Sequence, residues 1–399
     1  MTNNYSLRSL TIFSLIIYLI LVFTNNYYSV EEAAIIGLGD GVQYLKIIQA
    51  SPEIPTENVE NQQAYRFIIP YAIGALSHFT KVNDYYLLIF SIFITHLLIL
   101  NVFNQLVIHI GSKKNFSLII ICTLIFNAYF FRPSLTNPYL INDWIFIYGL
   151  LLIVTYVFKK KEYYFYIGLV LCAISRQTSL ILNILFIFSI IFNFNSKKKI
   201  NANIYIYGII INTIIFVLLH NISLDLFTDF VPMTYPNLML GIFFFNYNFL
   251  ELAIFIIRFI NANILILIFL IFFILNFKTH KKKLNFEMLF LLSLAVIIWF
   301  QPILGGPSFT GGNIPRLTIL SMPIFLVFYL FIFKDVEIDF IHTITIILLL
   351  FVTSFHHNYT YFLNHFFDYK NFHFAGTNFF LHFIIFIILF NNNRLNKKS

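Results

Sequence analysis

Uninterrupted apolar runs of about 14 to 26 residues recur along almost the whole chain, with lysine-rich breaks between them. This feature leaves few folds open. Lipid offers no partner to backbone N–H and C=O groups, so a spanning segment must satisfy them itself as a helix or join a closed barrel. The runs are continuous, not alternating, and longer than the roughly ten residues of a barrel strand. Hydrophobic residues make up 59% of the 399 and charged residues only 11%, too little charge to cover a soluble surface. The expected fold is all-α, a polytopic integral membrane helix bundle.

The first helix is expected over residues 7–23. Later spans are expected near 85–110, 116–131, 143–158, 163–175, 178–194, 202–220, 250–277, 286–300, 317–333, 338–354 and 377–391. The segment 67–80 has a short apolar core containing Pro70 and Gly74, and it is read as interfacial. The total is then about eleven to thirteen transmembrane helices. The chain is expected to divide into an N-terminal module, 1–199, and a C-terminal module, 200–399. No internal repeat is visible.

Orientation follows from charge. Lys113–Lys114, Lys159–Lys161, Lys197–Lys199, Lys278 with Lys281–Lys283, and Arg394 with Lys397–Lys398 form clusters between spans. Such clusters mark cytoplasmic loops, so the net charge of +8 does not indicate a nucleic-acid partner. The loop 25–66 holds six acids against two bases and is placed outside. At about 40 residues it is too long for a mere connector. Pro52 and Pro55 divide it into a helical first part and an extended middle. Further outer loops are expected at 132–142, near Arg176, and at 221–249, 301–316 and 355–376. Cys122 and Cys172 lie inside apolar runs and are read as buried thiols, with no disulfide framework.

The outer loops carry Arg66, Arg132, Arg176 and Arg316. Arginine presents a planar fork suited to phosphate, and beside lipid it is costly unless paired. Asp40 stands between two glycines in "GDG", an uncrowded carboxylate or an ordinary helix cap. Such a carboxylate facing arginines on the outer side suits a phosphate-bearing lipid substrate: the arginines stabilise a leaving phosphate, and the carboxylate takes a proton from the attacking hydroxyl. The loop "FHHNYTYFLNHFFDYKNFHF" brings His356, His357, His365, His373 and Asp368 together in sequence. Their spacing is looser than metal sites use, and aromatic belt residues are the favoured reading.

Four segments, in order, carry a resemblance: "GDGVQY" after the first helix, "YRFIIPYAIGAL", "NDWIFIYGLLL" with "YIGLVLCAISRQTSLIL", and "GGNIPRLTILSMPIFLVF". Together they resemble GT-C-type membrane glycosyltransferases, enzymes that take a sugar from a polyprenyl-phosphate donor. The resemblance implies a GT-C-like fold in a bacterial inner (plasma) membrane, with the active site facing the exterior. It implies an inverting hexosyl transfer to a glycan, lipid-linked or protein acceptor. Asp40 would be the catalytic base. Arg66, Arg176 and Arg316 would bind the donor phosphate, with Asp143, Asn313, Tyr44 and Glu32 in support. Plainer readings stand beside these roles: a helix-start acid for Asp143, a turn charge for Arg176, a loop end for Arg316 and a solvated helix face for Glu31 and Glu32. Asp40 has no acidic neighbour within seven residues, whereas the family often pairs two acids there around a divalent metal. No metal ligand set is assigned; an Mn or Mg ion would need Glu31 or Glu32. Gln177 stands where the family often has a glutamate. A glycan polymerase of the O-antigen type and a non-enzymatic flippase or transporter are the alternatives.

Overall fold

The computed structural model describes residues 6–25, 40–56, 58–195, 202–226, 241–244, 246–310, 314–355 and 372–395. Among them the chain is helical, with no strand. Seven helical stretches are long and apolar enough to cross a membrane: Asp84–Ile110, Lys114–Thr136, Pro138–Lys159, Ala202–Ser223, Phe249–Leu275, Phe286–Pro307 and Ile314–Ile332. Six shorter apolar helices accompany them: Leu7–Phe23, Ile68–Thr80, Glu162–Ser175, Gln177–Ile191, Phe340–Thr353 and Asn378–Asn391. The protein is thus a polytopic helical membrane protein. The eleven to thirteen spans expected from hydropathy are reached only when these shorter helices are counted with the seven. Cys122 and Cys172 are buried free thiols.

The chain forms two compact units, each drawn from separated stretches. One comprises Met1–Asn26, Leu100–Pro133 and Thr234–Ser399; the other comprises Tyr27–Ile99 and Ser134–Met233.

In the first unit, helix Lys114–Phe126 packs on Leu7–Phe23, Met322–Ile332 and Phe340–Thr353. Several buried polar groups bond across helices. Asn263 donates to Thr318 Oγ1 at 2.7 Å and accepts from the Trp299 indole at 2.9 Å. Asn378 donates to Asn261 Oδ1 at 2.7 Å. Helix Phe286–Thr310 contains Pro302 and Pro307 and kinks at Gly306 (φ 68°, ψ −177°), a conformation open to glycine. Ion pairs gather at one loop. Lys283 Nζ reaches Asp335 Oδ2 at 2.8 Å, and Lys113 Nζ reaches Glu337 Oε1 at 2.5 Å. The Lys283 ammonium holds the Asp335 carboxyl below its ordinary value, and Glu337 pushes the Lys113 ammonium up.

In the second unit the central feature is a hairpin of helices Ile141–Lys159 and Glu162–Ser175. A Cβ on Gly149 would lie 2.6 Å from the Gly168 carbonyl oxygen, and one on Gly168 would lie 2.5 Å from that of Gly149. Two facing glycines therefore let the backbones meet, as small residues do between membrane helices. Helix Ala202–Leu226 packs on the hairpin, and Asn212 Nδ2 donates to the Ser179 carbonyl at 2.9 Å. Helices Asp40–Ala50 and Ile68–Thr80 also meet closely: a Cβ on Gly74 would sit 2.2 Å from the Ile48 carbonyl oxygen.

Candidate functional site

The polar end of the hairpin carries the candidate site. Helix Ile141–Lys159 has Asp143 in its first turn, where the helix dipole favours a carboxylate. Helix Glu162–Ser175 ends at Arg176, whose extended backbone (φ −152°, ψ 135°) leads into the short turn of helix Gln177–Leu180. Lys159–Lys161 occupy the opposite end of the hairpin, about 24 Å away along helix Ile141–Lys159 at 1.5 Å per residue.

The reversal at Arg176 sends two neighbouring side chains to two partners. Arg176 Nη1 forms an ion pair with Asp143 Oδ1 at 2.5 Å, and both side chains are buried, 5% and 4% exposed. Gln177 Oε1 accepts a hydrogen bond from Arg66 Nε at 2.9 Å. Arg66 Nη1 also donates to the Tyr44 hydroxyl at 3.4 Å, and Asn142 Nδ2 donates to the Arg66 carbonyl at 3.4 Å. Asn142 adjoins Asp143 and Gln177 adjoins Arg176, so both arginines enter one buried cluster. Arg66 is 6% exposed, Gln177 5%, Tyr44 2% and Asn142 1%.

Two elements from the first loop complete the cluster. Helix Asn61–Tyr65 is fixed by the Tyr65 hydroxyl, which donates to the Ala173 carbonyl at 3.2 Å, and by the Tyr65 ring against Phe216. Arg66 follows directly as the residue capping this helix. Helix Asp40–Ala50 brings Tyr44 and is tied to the following chain: Lys46 Nζ donates to the Asn58 carbonyl, and the Tyr71 hydroxyl donates to the Pro52 carbonyl. Asp40 opens this helix, about one turn before Tyr44.

Of the residues singled out from sequence, Tyr44, Arg66, Asp143 and Arg176 therefore converge in the second unit. Asp40 begins the helix that carries Tyr44, and its side chain lies outside the described residues, as do Glu31, Glu32 and Asn313. Arg316 belongs to the first unit, half-buried in helix Ile314–Thr318. Arg132 also belongs to the first unit. It is fully buried and donates to the Thr24 carbonyl, Thr24 Oγ1 and Ser354 Oγ, with its guanidinium against the Phe355 ring. That makes Arg132 a clasp between the ends of helices Leu7–Phe23 and Phe340–Thr353.

Sequence reasoning missed two members of the cluster. Gln177 enters the sequence reading only as the residue standing where the family often has a glutamate, and Asn142 is not singled out there. The signal for Asn142 was its place beside Asp143 at a helix start. Among the described residues no group of three or more His, Cys, Asp or Glu side chains forms a metal site. The histidine-rich loop lies outside them, as does the side chain of His373.

No protein-family model, curated protein or solved structure matches this chain.

Proposed function

We propose that the chain is a membrane glycosyltransferase of GT-C type. It transfers a sugar from a polyprenyl-phosphate donor to a hydroxyl of a glycan, lipid-linked or protein acceptor on the outer face of the membrane. One observation supports this reading above the others: Arg66 and Arg176 are buried in one cluster, at the hairpin end opposite Lys159–Lys161. The positive-inside rule assigns that lysine end to the cytoplasm, which puts the arginines outside. Buried guanidinium groups at a membrane boundary suit a phosphate that must be held while it leaves.

In this reading the acceptor oxygen attacks the anomeric carbon of the donor sugar as the bond from that carbon to the phosphate oxygen breaks. Asp40 takes the proton from the acceptor hydroxyl. The electron pair of the broken bond stays with the lipid phosphate, whose charge falls to Arg66 and Arg176. Attack from the face opposite the leaving group inverts the anomeric centre.

The test uses the full chain in lipid nanodiscs with a polyprenyl-phosphate sugar and a short glycan acceptor. Wild type is expected to release free polyprenyl phosphate. Asp40→Asn is expected to insert and purify normally while losing transfer. A variant with wild-type transfer would remove Asp40 from the chemistry. Movement of intact donor across a bilayer without phosphate release would replace the enzyme with a transporter.

A further inference from the structure

We infer that Arg258 binds the phosphate of a bilayer phospholipid, on the membrane-facing side of helix Phe249–Leu275. The inference does not depend on the glycosyl-transfer reading.

This helix has 27 residues. At 1.5 Å per residue it is about 40 Å long, enough to cross a hydrocarbon core of about 30 Å and reach into both headgroup zones. Lys281–Lys283 lie just beyond one end. Arg258 lies nine residues from the other end, at Phe249. Toward that end Phe249, Leu250, Ile254 and Ile256 are all exposed, as side chains that face lipid tails are. Arg258 is exposed among them.

A guanidinium beside lipid needs a counter-charge, and the protein supplies none. Among the described residues no ion pair or hydrogen bond reaches Arg258. The nearest acid along the helix is Glu251, seven residues away. Its Oε2 accepts from the Asn248 N–H at 3.0 Å in a capping box. On the membrane side, polar side chains engage partners of their own: Asn261 accepts from Asn378, and Asn263 bonds Thr318 and Trp299.

Two effects bring the Arg258 charge to headgroup level. Each Cα–Cβ bond of a helix tilts toward its N-terminus, here the Phe249 end. Long cationic side chains also lay their stems along apolar surface and carry the charge to the interface. With headgroup zones of about 5–8 Å, the Arg258 Cα lies less than about 10 Å inside the hydrocarbon edge. The anions at that edge are lipid phosphates, and the planar arginine fork fits one with two parallel hydrogen bonds. The exposed isoleucines beside it suit acyl chains. A free phosphate ion would meet the charge and leave those isoleucines uncovered.

Native mass spectrometry of the full chain, released from micelles containing added dioleoylphosphatidylglycerol, counts bound lipids one at a time. Wild type is expected to hold one more phosphatidylglycerol than Arg258→Leu at the same lipid concentration, with a Kd about tenfold lower. Dioleoylglycerol, which has the same chains and no phosphate, should bind both proteins equally. Excess inorganic phosphate should not displace the phospholipid. Arg258→Leu is expected to insert and fold, because leucine is favoured within a span; if it does not, Arg258→Gln makes the same comparison. Equal phosphatidylglycerol binding by wild type and variant overturns the site. So does a matching loss of dioleoylglycerol, which would make the effect one of chain packing. Displacement by inorganic phosphate, or a wild-type dimer that the variant lacks, overturns it too, in favour of an ion site or a protein interface.

Discussion

Breaking the Asp143–Arg176 pair should be expensive, and removing both charges together should be much less so. The two side chains meet at 2.5 Å and are 4% and 5% exposed. With charge centres about 4 Å apart and an effective dielectric near 20, their attraction is about 4 kcal/mol. Asp143→Asn leaves a guanidinium buried beside an amide, and Arg176→Gln leaves a carboxylate in the same state. Each single change should cost about 3–5 kcal/mol, the range for one member of a buried pair. The double variant buries neither charge. Its loss should fall well short of the sum of the two singles, with a coupling of at least about 2 kcal/mol. Unfolding in mixed detergent micelles, followed by far-ultraviolet circular dichroism against rising SDS, measures all four corners of the cycle. Single losses that add to within about 0.5 kcal/mol would refute a direct pairwise energy. The double variant also separates structure from function. If Arg176 contacts the donor phosphate, the double variant recovers stability while its donor KM stays raised.

Two further perturbations probe other parts of the structure. Gly74→Ala places a methyl group 2.2 Å from the Ile48 carbonyl oxygen, so helix Asp40–Ala50 must move. The expected cost is about 1–3 kcal/mol, with transfer falling further than stability because Tyr44 and Asp40 ride on that helix; wild-type stability and transfer together would show that the contact is slack. In the first unit, Lys283 depresses the Asp335 carboxyl, first through their hydrogen bond. A depressed carboxyl stabilises the fold above its unfolded value of about 3.9 and loses that contribution as pH falls through its lower folded value. Because Asp335 is 67% exposed, solvent screening limits the effect to under about 1 kcal/mol. Asp335→Asn should therefore lower the melting temperature slightly at neutral pH and low salt, and match wild type in strong acid; an equal difference at both pH values would remove the ion pair as its cause.

The sequence by itself determined where the helices run. Residues 84–110 form a helix where hydropathy placed one at 85–110, and Phe249–Leu275 lies where 250–277 was expected. Lipid imposes this legibility: every spanning segment must be apolar and helical, and every break must be polar. Pro52 and Pro55 likewise marked the point at which helix Asp40–Ala50 gives way to irregular chain. Arg66 and Arg176 were also legible as residues of interest, since charge beside lipid is rare and costly; Asp143 stood out only through the resemblance.

Only the tertiary structure decided their partners. Arg66 finds Gln177 across 111 positions, and Arg176 takes Asp143 across 33. Arg132, of the same residue type, becomes a clasp for carbonyl and hydroxyl oxygens in the other unit. Hydropathy does not separate these fates, because a lipid-facing surface and a buried one are equally apolar. Helix Ile141–Lys159 is buried over most of its length, while Ala202–Leu226 leaves Ile206, Ile210, Ile214 and Val217 exposed, yet both read as uniform apolar runs. In water the polar face of a helix reveals which side turns inward. In lipid that contrast vanishes, and contacts such as the facing pair Gly149 and Gly168 choose the neighbours instead.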